Sequence, residues 1–227
     1  MRNVIVMAVS AAAVAVVACK NDSTSPAGSS STNDGYAITI DSGISGQTAT
    51  VGTPIAVSIH VTKDSVNPAP GLTITWTVSQ GNGKVTPASS VTDANGAASA
   101  VWTMGDTAGS NELVALASGP NISVTVFATS IGAAATKVSK VSPDSQAVVA
   151  GATTSLIVRA VDAFGNGSPN LNVTWTATGG SLSATTTTTG TSGNAVVNFT
   201  TGTTPGTYTV TADAGALGTA TFKVVGF

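Results

Sequence analysis

The sequence predicts an all-β protein: two Greek-key β-sandwiches in tandem behind a signal and lipid-anchor segment. Three observations carry that prediction. A Trp recurs in the same frame 99 positions apart, as Thr75-Trp76-Thr77 and Thr174-Trp175-Thr176. Around both, apolar and polar residues alternate, as Leu72-Thr73-Ile74-Thr75-Trp76-Thr77-Val78 and Leu171-Asn172-Val173-Thr174-Trp175-Thr176-Ala177. That is the period of two of a strand with one buried face. The 227 residues are 42% hydrophobic but only 8% charged, so β-branched Val and Thr outweigh the Glu, Lys and Arg that long helices use. Self-similarity means one domain built twice, and the length suits two domains of roughly 100 residues.

The chain opens with Met1-Arg2-Asn3 and then an apolar run from Val4 to Ala18. The run is long enough for a secretory signal core and short of the roughly 20 residues of a membrane-spanning helix. It closes on Val16-Val17-Ala18-Cys19, which resembles the bacterial lipobox. The resemblance implies that residues 1–18 are a lipoprotein signal peptide and that Cys19 is the lipidation site, acylated and anchored in membrane lipid. An ordinary signal peptide with a chance Cys, or an uncleaved anchor, are the alternatives. Cys19 is the only Cys in the chain and stands where the box requires one, before an abrupt turn to polar residues. More than one acyl chain also makes physical sense, because a single chain holds a membrane only marginally. Lys20 in place of an Asp favours the outer membrane or cell surface over retention at the inner membrane, with a periplasm-facing location the alternative.

Residues 19–35 form the acylated Cys and a tether. Asn21 to Gly35 is rich in Ser, Asn and Gly and lacks apolar periodicity, the composition of a flexible leash with a reach of about 20 Å. The first sandwich is expected at 36–130, a linker at 131–136 and the second sandwich at 137–227. Val57, Ile59 and Val61 match Leu156, Val158 and Ala160 as inward positions of one strand. Both copies then carry turn residues, Asn67-Pro68-Ala69-Pro70-Gly71 and Gly165-Asn166-Gly167-Ser168-Pro169-Asn170. Downstream the offset falls to 97, and Gly96 to Thr103 aligns with Gly193 to Thr200, setting Trp102 against Phe199. Trp76, Trp102, Trp175 and Phe199 are the expected core. About seven short strands per copy, with turn signals every 8–12 residues, give an antiparallel Greek-key sandwich.

The stretch Val91-Thr92-Asp93-Ala94-Asn95-Gly96-Ala97-Ala98-Ser99-Ala100-Val101-Trp102-Thr103-Met104-Gly105, followed by Ala108-Gly109-Ser110-Asn111, resembles bacterial immunoglobulin-like domains of the invasin/intimin type (group 1). The second copy departs from that pattern, with Thr191-Ser192-Gly193 at the turn and Phe199 for Trp102. Its Asp162-Ala163-Phe164-Gly165-Asn166 nevertheless looks like the family. The resemblance implies two tandem immunoglobulin-like sandwiches, each with its Trp, Trp76 or Trp175, at the centre of the core. With a single Cys no disulfide lies against either Trp. Such domains are mostly spacers and presenters, so the resemblance speaks more to fold than to function.

Little in the sequence supports catalysis. His60, the only His, reads as a solvated strand residue, and with one Glu (Glu112) and an acylated Cys no nucleophile–base–orienter set can be assembled. Asp93 and Asn95 are the candidate metal ligands, because Asp93-Ala94-Asn95-Gly96 offers hard oxygens. The loop lacks the further acidic ligands of an EF-hand, and a tight turn explains the same residues. No cofactor is expected. Thr185 to Thr189 reads as an edge strand, with an O-glycosylated or mobile loop as the alternatives. Val66 and Phe164 lie in equivalent connections; packing of these loops against the sandwich ends is the favoured reading, and exposed apolar tips for a partner are the alternative. The formal net charge of −2 and eight scattered Lys and Arg speak against nucleic acid.

Two functions fit. One is a lipid-anchored, non-catalytic surface stalk, adhesion or interaction module with an unidentified protein partner. The other is an accessory structural subunit docked to a periplasmic or membrane protein complex. Carbohydrate binding would want exposed aromatics, and the three Trp are absorbed by the core, so no small-molecule ligand is expected.

Overall fold

The computed structural model describes residues 32–33, 35–41 and 44–227. The signal segment, Cys19 and most of the tether lie outside the described residues. The first sandwich contains β1 (Thr32–Asn33), β2 (Tyr36–Ile40), β3 (Gln47–Thr50), β4 (Pro54–Lys63), β5 (Asn67–Pro68), β6 (Thr73–Gln80), β7 (Lys84–Thr86), β8 (Ser89–Val91), β9 (Ala97–Thr103), β10 (Gly109–Ala117) and β11 (Ile122–Ile131). The second contains β12 (Lys137–Lys140), β13 (Gln146–Val148), β14 (Thr153–Val161), β15 (Asn172–Ala177), β16 (Ser181–Leu182), β17 (Thr186–Thr188), β18 (Asn194–Thr200), β19 (Gly206–Asp213) and β20 (Thr219–Gly226), with one 3₁₀ turn at Gly215–Leu217.

The two copies share one topology. In the first, the sheets run β1-β2-β4-β9-β7, with β5 beside β4, and β3-β11-β10-β6-β8. In the second they run β12-β14-β18-β16 and β13-β20-β19-β15-β17. Strand for strand these are the same sheets, apart from β1 and β5. Among the described residues the pairing is antiparallel with one exception in each copy: β3 lies parallel to β11, and β13 parallel to β20. The exception arises because the first strand of each copy changes sheets. It leaves β4 or β14 after a few residues and crosses to the far sheet without reversing, so it meets the last strand head to head. In the second copy Asp144 secures this crossing. Its carboxylate accepts from Lys140 Nζ at 2.7 Å, from the backbone N–H of Lys223 at 2.7 Å and from its own neighbour Ser145.

At its start the first sandwich reaches into residues assigned above to the tether: Thr32 and Asn33 pair with Ala37 and Tyr36. Gly35, at a positive φ of 77°, makes the turn.

Alternation sets the cores. Along β4 the residues Ile55, Val57, Ile59 and Val61 are buried while their neighbours face out. Trp76 and Trp102 join the core of the first sandwich, Trp175 and Phe199 that of the second. Trp175 stacks on Phe222 with ring centroids 6.3 Å apart. Phe199, in the place of Trp102, meets Tyr208 at 5.9 Å, so a second aromatic fills the volume that the smaller ring leaves.

Candidate functional site

Asp162-Ala163-Phe164-Gly165-Asn166 is a compact hairpin built on its first residue. Asp162 Oδ1 accepts from the backbone N–H groups of Phe164 and Asn166, each at 2.9 Å. Gly165 sits at a φ of 87°, a conformation that Gly adopts without cost. Asp93-Ala94-Asn95-Gly96-Ala97 has the same construction, with Asp93 Oδ1 accepting from Asn95 N at 2.8 Å and Ala97 N at 2.9 Å. The two loops occupy different connections, the Asp93 loop ahead of β9 and the Asp162 loop after β14. In both, two backbone N–H groups donate to Oδ1 of the leading Asp, the arrangement of a tight Asx turn. Among the described residues no group of three or more His, Cys, Asp or Glu side chains gathers into a metal site.

The Asp162 loop lies at the junction of the two sandwiches. Asp162 is buried, 3% exposed, and its second oxygen accepts from Ala133 N of the linker and from Asn166 Nδ2, both at 3.0 Å. Asn166 then reaches into the first sandwich. Its Oδ1 accepts from Ala108 N at 2.9 Å and its Nδ2 donates to Asp106 O at 2.8 Å. On the other side Ser168 Oγ donates to Ala133 O at 2.7 Å. Gly132 is packed so tightly on the backbone of Gly167 that a side chain would collide with it. Linker, first sandwich and second sandwich therefore converge on one Asp and one Asn. Burial opposes ionisation of Asp162. The hydrogen bonds from Asn166, Ala133 and Phe164 outweigh it and hold the carboxyl below its ordinary value. In the first copy Lys63 stands at the position of Asp162. The loop there turns through Asp64 and Ser65 at positive φ, and its tip, Val66, is 77% exposed. Phe164 is 61% exposed. Both tips are thus exposed rather than packed against the ends of their sandwiches, contrary to the favoured expectation.

His60 is not simply solvated. Its Nδ1 lies 2.6 Å from Asp41 Oδ1, and Ser58 Oγ donates to the other oxygen of the same carboxylate. A Ser, an Asp and a His thus come together, but with the carboxylate in the middle. Nucleophilic catalysis needs the imidazole between the other two, where it can take the hydroxyl proton, so this order gives a bridged surface pair.

The Thr run resolves into separate tasks. β17 pairs with β15 as an edge strand. Thr187 Oγ1 accepts from Trp175 Nε1 at 2.8 Å, and buried Thr189 bonds Ser168 O and Leu171 N. The first copy repeats both contacts through Ser90 and Thr92.

The family model described as bacterial Ig-like domain (group 1) matches residues 137–225. The second sandwich is thus a domain of that group, and the first repeats its strand order. Among solved structures, FdeC, an Escherichia coli adhesin, aligns over 87% of this chain and 66% of its own at 19% identity, with a TM-score of 0.53. The D0-D1 domain of intimin aligns over 84% of this chain and 97% of its own, at 24% identity and a TM-score of 0.35. Invasin, a bacterial integrin-binding protein, aligns over 85% of this chain and 39% of its own, at 22% identity and a TM-score of 0.37. No curated protein matches the chain.

Proposed function

We propose that the protein is a lipid-anchored component of the bacterial envelope whose two Ig-like sandwiches form a non-catalytic stalk at the cell surface. The observation that carries this reading is the clasp at the junction. Domains joined by a bare linker move relative to one another by default. Here one buried carboxylate and one amide tie the linker to both sandwiches, which suits a spacer that must hold a fixed reach. The FdeC-like fold supports the reading, since FdeC is an adhesin. Acylation at Cys19 would supply the anchor.

The experiment is metabolic labelling with radioactive palmitate, with Cys19→Ser as control, combined with protease shaving of intact cells. Label lost in Cys19→Ser, together with shaving of the sandwiches, is the expected result. Label without shaving places the sandwiches inside the envelope. A stoichiometric, salt-resistant partner set, recovered in mild detergent from native membranes, would then make the protein a structural subunit of a complex.

A further inference from the structure

We propose that the outer face of the first sandwich binds a neutral glycan, with Phe127 as the platform for a sugar ring and Glu112, Gln80, Ser110 and Thr129 as its hydrogen-bonding rim. The proposal goes beyond the stalk reading and stands or falls separately from it.

A cleft of ≈ 360 Å³ crosses one end of the sheet, lined by Gly46, Gln80, Ser110, Glu112, Phe127 and Thr129 among others. That volume lies at the lower end of small-molecule sites. The cleft runs from Gly46, just ahead of β3, across β11 and β10 to the end of β6. These are three inter-strand spacings, about 14 Å, a length suited to a short run of sugar units. Phe127 faces outward, between the buried Val126 and Ala128, and is itself half-buried, so part of its ring is presented to the cleft. Glu112 stands directly opposite it, and Ser110 opposite Thr129.

The register of β10 against β6 shifts between Glu112 and Leu113, and the pairing resumes at Glu112 with Gln80. A bulge of this kind re-aims a side chain and is common beside binding sites. Ser79 Oγ lies 3.4 Å from Glu112 Oε2, which steadies a carboxylate that lines the cleft.

The lining selects the ligand class. A pyranose offers an apolar C–H face, which suits the negative face of an aromatic ring, and a rim of hydroxyls, which suits carboxylate, amide and hydroxyl partners. A peptide strand would need a free sheet edge, whereas β10 and β11 are paired on both sides. Anionic ligands would meet Glu112 with no Lys or Arg in the lining.

The second copy serves as an internal control. At the equivalent positions it has Lys223 for Phe127, Thr209 for Glu112, Thr207 for Ser110, Val225 for Thr129 and Gly179 for Gln80. Its β15 ends at Ala177 with no register shift against β19. The fold therefore forms without these residues, so strand pairing alone does not call for them in the first copy.

The test is titration calorimetry of the full chain in detergent with cellohexaose, chitohexaose, mannohexaose and xylohexaose. At least one should bind. Phe127→Ala should weaken it by about tenfold or more, while Phe127→Trp retains it and Lys223→Ala in the other copy changes nothing. Thermal melts of each variant separate lost binding from lost folding. Binding of chitohexaose alone would point to N-acetylated wall glycans, and binding of the others to polysaccharides outside the wall. Either result supports the site. No binding of any hexasaccharide, or equal binding by a folded Phe127→Ala variant, would overturn it.

Discussion

The indole N–H of Trp175 donates to the hydroxyl of Thr187 at 2.8 Å, so the core residue on β15 holds the edge strand β17 through its side chain. The backbone joins in, with Trp175 N donating to Thr185 O at 2.8 Å. The first copy repeats the pattern, with Trp76 Nε1 on Ser90 Oγ at 2.8 Å and Trp76 N on Ala88 O at 2.9 Å. In a sandwich without a disulfide, the Trp both fills the core and fastens a short edge.

Removing each part should have its own cost. Trp175→Ala should destabilise the second sandwich by roughly 3–5 kcal/mol, a large part of the usual 5–15 kcal/mol of a domain. Thr187→Val keeps the shape but strands the indole donor, at about 1–3 kcal/mol. Thermal melts of the two variants check this. A drop of only a degree or two for Trp175→Ala would contradict the central role of the ring.

Thr189→Val should cost more than Thr187→Val. The Thr189 hydroxyl donates to Ser168 O and accepts from Leu171 N, so two backbone groups lose a partner, each worth about 1–3 kcal/mol when left buried. Thr92→Val should behave alike in the first sandwich. Chemical denaturation of both variants decides, and an effect below that of Thr187→Val would refute the bridging role.

Asn166→Ala should loosen the junction while sparing both folds. It removes the bonds to Ala108 N and Asp106 O across the junction and the bond to Asp162 Oδ2 within the loop, each worth about 0.5–1.5 kcal/mol. Small-angle scattering should then show a broader spread of end-to-end distances at nearly unchanged melting temperatures. An unchanged scattering profile would mean that the clasp does not limit motion.

Acid should weaken the second sandwich before neutral pH has any effect. Asp144 is lowered from 3.8 to about 2, by its hydrogen bond from Lys140 and by backbone bonds from Lys223 and Ser145. Asp162 is lowered as well, its hydrogen bonds overcoming burial. Both carboxyls bind a proton more weakly in the folded chain than in the unfolded one. Their contribution is thus complete above the unfolded value near 3.8 and is lost as pH falls through the folded value. The melting temperature should hold from about pH 7 to 5 and fall below about pH 4. Asp144→Asn should shrink that fall, and a fall of full size in the variant would exclude Asp144 as a cause.

Much of the fold was legible because strand alternation and duplication reinforce each other. Val57, Ile59, Val61 and their partners Leu156, Val158 and Ala160 could be read as inward from two independent stretches of sequence. The parallel strand β3 could not, because Gln47-Thr48-Ala49-Thr50 carries no large apolar residue to mark a buried face. The junction was hidden for another reason. Asp162 and Asn166 are turn residues by type, and the same Asp and Asn serve a hairpin and a domain contact equally well. Only the second oxygen of Asp162 and the amide of Asn166, aimed away from their own loop, tell the two apart. Asp41 stayed invisible beside His60 because its partner lies on a neighbouring strand, 19 residues away in sequence. Phe127 carried no separate signal in the sequence, since alternation in an apolar stretch does not say which aromatic lines a cleft.

The parallel pairing of β13 with β20 has a mechanical consequence. Gln146 lies beside Val224 and Val148 beside Gly226, so a pull on the chain at both ends of the sandwich drags the two strands past each other lengthwise. The load falls on all their cross-links at once, where a hairpin would open one link at a time. Resistance to tension is a matter of unfolding rate rather than of equilibrium stability. A short strand that adds little to a thermal melt can therefore govern how long the domain withstands shear.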